Sequence, residues 1–105
     1  MDEAKMKRLE AGGWRAGTAA EFLNLSPQDA AFVELKLALA DYLREFRSAH
    51  RWTQVAVARR LGSSQSRVAR MEAADPTVSV DLLVRSLLAL GASRQELGRV
   101  IAAAA

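Results

Sequence analysis

The sequence predicts a small all-α domain, and three observations support this prediction: composition, hydrophobic spacing and the placement of helix-capping residues. Alanine and leucine account for 21 and 14 of the 105 residues, against eight valines and one isoleucine. This balance favours helices over strands. A chain of this length has room for one core. The absence of cysteine excludes disulfides and thiolate metal sites.

The chain shows no sign of a membrane or export segment. No apolar run approaches the ~20 residues that cross a bilayer, and the first residues lack the basic-then-apolar order of a signal peptide. We therefore expect a cytoplasmic protein with no membrane partner, found in a reducing compartment.

Capping residues predict where the helices begin and end. Residues 1–25 are expected to form an arm with a short helix over about 18–24, and residues 26–105 the main domain. Ser26 precedes a proline and should cap a long helix ending near Ala49. Its apolar stripe is expected to face the core; the stripe consists of Phe32, Leu35, Leu39, Leu43 and Phe46.

Four shorter helices are expected after the long one, which gives five or six helices in all. A polar cap residue starts each of the four, and glycine or a turn ends the first three. Their expected bounds are 53–61 before Gly62, 64–73 before Asp75-Pro76, 79–90 before Gly91, and 93 to the frayed C-terminal end.

Positive charge is concentrated in the middle of the chain. Residues 44–72 contain seven arginines, no lysine and two glutamates, a net charge of +5, although the whole chain carries only +3. Arginine suits phosphate groups and guanine edges, so a polyanionic partner is expected. A solvated arginine-rich helix face is the alternative that charge alone leaves open.

The two helices predicted over 53–61 and 64–73 have the proportions of a helix-turn-helix and coincide with this basic segment. Across residues 43–91 the sequence resembles the Xre family of repressors, relatives of the lambda and Cro repressors. The residues that carry the resemblance are Thr53-Gln54, Ala58-Arg-Arg-Leu-Gly62-Ser-Ser-Gln-Ser-Arg-Val68 and Met71-Glu72. The resemblance implies a lambda-repressor-like helix-turn-helix DNA-binding domain, with 53–73 as the motif.

The resemblance also implies roles for individual residues. It places the start of the recognition helix, which faces the major groove, at Ser64, Gln65, Ser66 and Arg67, with Arg70 on the same exposed face. Gln54 corresponds to a glutamine that holds a backbone phosphate at a helix start. Arg47 and Glu72 match a structural pair that ties the first repressor helix to the end of the recognition helix.

Three departures from the family pattern bear on loop geometry. Arg51-Trp52 stands where the family usually has Gly-Leu, and Ala74 replaces the glycine that usually follows the recognition helix. The third departure is Ala56, at a position where glutamate is common. None of the three removes a predicted DNA contact, and Arg51 could add one.

Residues 6–43 resemble a prokaryotic subgroup of this family, antitoxins paired with RelE-like toxins. The residues that carry this resemblance are Gly13-Trp14, Gly17-Thr18, Glu21-Phe22-Leu23, Leu25-Ser26 and Glu34-Leu35-Lys36-Leu37. Such antitoxins bind the toxin and repress their own operon. The segment could instead only complete the core or a dimer interface.

Nothing in the sequence indicates catalysis, a cofactor or a metal site. His50 is the one histidine, and no glycine-rich phosphate loop or metal-ligand spacing is present. His50 is expected to be solvated. We therefore expect a non-enzymatic, homodimeric repressor that binds a double-stranded DNA operator at the nucleoid. A stand-alone Xre-type regulator without a toxin, or a protein-binding adaptor that kept the fold, are the alternatives.

Overall fold

The computed structural model describes residues 25–104, which form five helices with no strand among them. The helices are α1 (Pro27–Ala49), α2 (Gln54–Leu61), α3 (Gln65–Glu72), α4 (Val80–Leu90) and α5 (Arg94–Ala103). The predicted all-α fold is confirmed. The arm predicted over 1–25 and its short helix over 18–24 lie outside the described residues, apart from Leu25.

Every helix begins after a serine or threonine with extended backbone. The side-chain oxygen of this residue accepts a hydrogen bond from the backbone N–H three residues later. Each such cap stabilises a helix by about 1 kcal/mol because it satisfies a donor that has no partner inside the helix. The five caps are the residues expected from the sequence, namely Ser26, Thr53, Ser64, Ser79 and Ser93.

Each of the helices α1 to α4 is followed within two residues by a residue in the left-handed conformation, and only two of these four residues are glycine. Gly62 and Gly91 adopt φ values of 63° and 109°, whereas Arg51 after α1 and Ala74 after α3 adopt 57° and 53°. The N–H of Ala74 bonds to the carbonyl of Met71, and the next N–H bonds back to Arg70. This is the pattern of a Schellman motif, which a side chain at Ala74 or Arg51 makes more costly to form.

The core lies where α1 crosses the other helices. α1 packs against α3, α4 and α5, while α2 packs against α3 and α4. The largest fully buried side chains are Leu39, Leu43, Val57, Val68, Met71, Leu83 and Leu87. No helix in the described part of the chain is long and apolar enough to cross a membrane.

The predicted apolar stripe of α1 is only partly buried. Leu39 and Leu43 are fully buried, but Phe32 is 54% exposed, so its assignment to the core is wrong. The buried residues of α1 lie between 39 and 43, which shows that the core covers its C-terminal half. The helical period predicts which residues share a face, but it does not tell how far along the helix the neighbours reach.

Candidate nucleic-acid interface

The helices α2 and α3 form a helix-turn-helix whose turn is closed by backbone hydrogen bonds. Gly62 ends α2 in the left-handed conformation, and the N–H of Ser63 bonds to the carbonyl of Ala58 at 2.8 Å. Ser64 then caps α3, and its hydroxyl accepts from the N–H of Arg67 at 3.2 Å. Three residues thus separate the helices, which matches the short turn of this motif.

The short helix α3 has one buried and one exposed side. Val68 and Met71 are 0% and 1% exposed and anchor it in the core. The four side chains predicted to contact DNA from this helix are all exposed, namely Gln65, Ser66, Arg67 and Arg70. These two buried side chains fix the orientation of α3 against the core, so the exposed side chains project from a backbone that is held in place.

The exposed residues of α3 leave the helix in different directions. Five residues of α-helix turn by about 500°, which places Gln65 and Arg70 about 140° apart around the axis. Ser66 lies one turn before Arg70, and Arg67 is three residues from it. Arg70 therefore shares its direction with Ser66 and Arg67 more closely than with Gln65.

A hydrogen-bonded chain of side chains connects the end of α1 to both helices of the motif. Arg47 binds Glu72 with two bonds, Nε to Oε2 at 2.5 Å and Nη2 to Oε1 at 3.0 Å. Its Nη1 also donates to the carbonyl of Trp52 at 3.1 Å. Because the bond to Glu72 favours the charged guanidinium, the pKa of Arg47 is raised above its ordinary value. The Glu72 side chain is only 4% exposed.

Gln54 extends this chain to the surface of α3. Its Nε2 donates to Glu72 Oε1 at 3.2 Å, and its Oε1 accepts from Gln65 Nε2 at 2.7 Å. The resemblance implies that Gln54 holds a DNA phosphate through its side chain and the start of α2. The two hydrogen bonds use one of its two amide N–H donors, so they do not exclude this role. The second amide N–H of Gln54 and the backbone N–H groups at the start of α2 are the donors that a phosphate contact would use.

A stack of three rings beside α2, with Phe46 and Trp52 partly buried and His50 exposed, was not expected from the sequence. His50 lies against Phe46 with ring centroids 4.3 Å apart and against Trp52 at 4.5 Å. The guanidinium carbon of Arg60, in α2, lies 4.1 Å from the ring centroid of Trp52, in the loop between α1 and α2. The four-residue step from Phe46 to His50 was the available signal. His50 is exposed, as expected, but its Nδ1 lies 2.8 Å from the Phe46 carbonyl, so the ring is held in place.

The family of this chain is identified by comparison with known protein families. A family model described as a helix-turn-helix domain matches residues 38–100, more than half of the chain. The chain belongs to this helix-turn-helix family. Its helix-turn-helix domain indicates a DNA-binding regulator, and domains of this family are typically not enzymes. No curated protein and no solved structure matches the chain.

In a helix-turn-helix domain the second helix of the motif enters the major groove. That helix is α3, and the exposed arginines Arg67 and Arg70 extend from it.

Within residues 25–104, no group of three or more histidine, aspartate or glutamate side chains could hold a metal ion.

Proposed function

We propose that the protein is a sequence-specific repressor that binds a duplex DNA operator through α3. The observation that carries this proposal is the division of α3 between the anchors Val68 and Met71 and the exposed Gln65, Ser66, Arg67 and Arg70. A helix held this rigidly can present hydrogen-bonding groups to base edges at fixed positions. Such a protein acts in the prokaryotic cytoplasm, on nucleoid DNA.

The exposed side chains suit both base and phosphate contacts. Arginine pairs bidentately with guanine and glutamine with adenine, while serine accepts or donates at several bases. Arg67 and Arg70 are the candidates for guanine, and Gln65 is the candidate for adenine. The starts of α2 and α3 carry backbone N–H groups that have no partner inside the helix, which favours phosphate contacts at Gln54 and Ser64.

The proposed repressor acts as a homodimer because one eight-residue helix reads only a few base pairs. Dimeric helix-turn-helix proteins place two recognition helices about 34 Å apart, one turn of DNA. The operator is then an inverted repeat whose half-site centres are about ten base pairs apart.

Selection of binding sites from a random duplex library tests the proposal. Enrichment of an inverted repeat with that spacing, bound by two protein chains, is the expected result. Enrichment of one half-site bound by one chain contradicts the dimer, and no enrichment contradicts sequence-specific binding. Matched salt titrations exclude a protein-binding adaptor, since DNA affinity falls steeply with salt as counterions are released.

We further propose that the repressor is the autoregulating antitoxin of a type II toxin–antitoxin operon. The resemblance of residues 6–43 to antitoxins of RelE-like toxins supports this role. We place the toxin contact at the N-terminal half of α1, where Phe32, 54% exposed, offers an apolar anchor. A single exposed apolar side chain is common on protein surfaces, so Phe32 gives the position of the proposed contact and the resemblance gives the reason for it.

Co-purification with the product of the adjacent gene tests the antitoxin role. If that gene encodes a small RelE-like ribonuclease, the two proteins should form a complex in which the ribonuclease is inactive. Phe32→Glu should weaken that complex and leave operator binding intact, whereas Gln28→Glu, at an exposed position on the same helix, should change neither. If the adjacent gene encodes no such protein, the chain is a stand-alone Xre-type regulator.

A further inference from the structure

A cleft of about 320 Å³ lies behind the recognition helix, between the α2–α3 turn and α4. Its walls come from three places in the chain. The turn contributes Gly62 and Ser63, α3 contributes Arg67 and Met71, and α4 contributes Arg85 with its neighbours. The volume is at the lower end of the range found for small-molecule sites, so the cleft suits a compact ligand.

Two arginines from different helices give the cleft its charge. Arg67 comes from α3, and its side chain has no hydrogen-bond or ion-pair partner among residues 25–104. Arg85 comes from α4 and pairs with Asp81 at 3.1 Å, with both side chains more than 70% exposed. An exposed pair of this kind contributes little free energy, so Arg85 can exchange Asp81 for another anion at small cost.

The inner wall of the cleft is apolar, with one buried hydroxyl. Leu82 and Met71 line it, together with Ser86, which is 5% exposed. The Ser86 hydroxyl donates to the Met71 sulfur at 3.6 Å. A thioether is a weak acceptor, so a stronger acceptor in the cleft can compete for this donor.

We propose that this cleft binds a small organic anion. A carboxylate or phosphate head lies between Arg67 and Arg85, where charge-assisted hydrogen bonds from guanidinium groups are strong. A short apolar body lies against Leu82 and Met71, and Ser86 offers its hydroxyl to an oxygen of the ligand. Because the cleft is small and open, the affinity for minimal probes is in the millimolar range.

Occupation of the cleft weakens DNA binding, a consequence that rests on the proposed function. Arg67 lies in the first turn of α3 and is one of the side chains proposed to contact DNA. An anion that engages its guanidinium competes with the DNA for the same group. The ligand and the operator therefore lower each other's affinity by the same factor.

Titration of the ¹⁵N-labelled full chain with four probes tests the site without DNA. The probes are butyl phosphate, butyrate, inorganic phosphate and butanol, at constant ionic strength. Saturable shifts at the amides of Gly62, Ser63 and Ser86 are expected for butyl phosphate and butyrate, with weaker binding of inorganic phosphate and no saturation by butanol. The stronger of the two organic anions identifies the head group. Inorganic phosphate binding as tightly as butyl phosphate overturns the site, since the apolar wall then contributes nothing.

Substitution of an arginine inside and one outside the cleft distinguishes binding in the cleft from nonspecific attraction of an anion to a basic protein. Arg85→Gln should weaken butyl phosphate binding by about fivefold or more, the loss of one charge-assisted contact. Arg94→Gln removes an exposed arginine of α5 that does not line the cleft and should leave binding within about twofold. Equal losses in both variants overturn the site.

Competition with DNA tests the coupling separately. Butyl phosphate should weaken binding of wild-type protein to its selected operator in proportion to its occupancy of the cleft, and should do so less with Arg85→Gln. If the cleft saturates and operator affinity does not change, the competition at Arg67 is wrong. If no operator is found at all, the proposed function has failed while the titration still decides whether the cleft binds an anion.

Discussion

Arg47 and Glu72 form a two-bond ion pair that joins the last turn of α1 to the last residue of α3, 25 positions later in the chain. The position is unfavourable for a lone carboxylate. Glu72 is nearly buried, and the C-terminal end of a helix carries the negative end of its dipole. Arg47 offsets both costs, which makes the orientation of α3 depend on this contact.

Removal of the Glu72 carboxylate should therefore destabilise the domain strongly. Glu72→Ala leaves Arg47, 19% exposed, without its partner and takes an acceptor from Gln54. We expect a loss of about 3 kcal/mol in the free energy of unfolding, measured by urea denaturation. Asp81→Ala removes one partner of the exposed pair with Arg85 and a favourable charge in the first turn of α4, and should cost about 1 kcal/mol or less. Equal losses in the two variants would show that the buried pair behaves like a surface contact.

Ala74 is a position where the natural side chain should be worse than glycine. Its φ of 53° lies in the left-handed region, which costs a residue with a Cβ about 1–2 kcal/mol. Ala74→Gly should raise the free energy of unfolding by about 0.5–1 kcal/mol, because glycine's greater freedom in the unfolded chain offsets part of the relief. Ala73→Gly is the control, since Ala73 is right-handed with φ of −86° and should lose stability. A destabilised Ala74→Gly would show that the left-handed turn is not strained.

The helix ends could be predicted from sequence because they depend on neighbouring residues. Ser64 caps α3 and Gly62 closes α2 through contacts within a few positions, and local chemistry decides both. The exposure of Phe32 and the place of Gln54 depend on which distant helix lies opposite. The periodicity of one helix does not show which part of it a neighbouring helix covers. The exposure of Phe32 and the contacts of Gln54 could therefore not be predicted from the sequence.

Tyr42 connects α1 to α5 and should make the fold sensitive to alkali. Its hydroxyl donates to Glu96, and burial together with this hydrogen bond raises the pKa of Tyr42 to about 12. A folded-state pKa above the unfolded value of about 10 stabilises the fold fully below pH 10, and this stabilisation is lost as the pH rises towards 12. As the only tyrosine in the chain, its phenol absorbance reports its ionisation directly.

We expect that absorbance to titrate near pH 12 in the folded protein and near pH 10 in urea. Between pH 10 and about pH 12, the free energy of unfolding should fall less in Tyr42→Phe than in the wild type. The same hydrogen bond lowers the pKa of Glu96, so its contribution is present above the ordinary glutamate pKa and is lost as the pH falls. In Tyr42→Phe, the free energy of unfolding should therefore also fall less steeply as the pH is lowered through the glutamate range. A phenol that titrates near pH 10 in the folded protein would contradict both expectations.

Arg70 should contribute to base recognition. Arg70→Ala is expected to cost about 1–3 kcal/mol on the selected operator and much less on random duplex, as for loss of a guanine contact. Fluorescence anisotropy at several salt concentrations measures both. If the salt slope falls by about one unit and the operator preference survives, Arg70 contacts phosphate instead. Arg67→Ala in the same assay shows whether Arg67 reads the base in its place.

Gln54 and Gln65 should act on DNA as one unit. The 2.7 Å hydrogen bond between them means that Gln54 fixes the side chain proposed to read adenine. Gln54→Ala alone should weaken binding to all sequences through the lost phosphate contact, and should also relax specificity at the position that Gln65 reads. In a double-mutant cycle on the operator, Gln65→Ala should then cost less in the Gln54→Ala background than in the wild type, by about 0.5–1 kcal/mol.

The Ser66→Ala and Gln54→Ala pair is the control and should be additive, since the structure shows no hydrogen bond between these side chains within the described residues. Additive losses for both pairs would mean that Gln54 contacts phosphate independently and that Gln65 keeps its position without it.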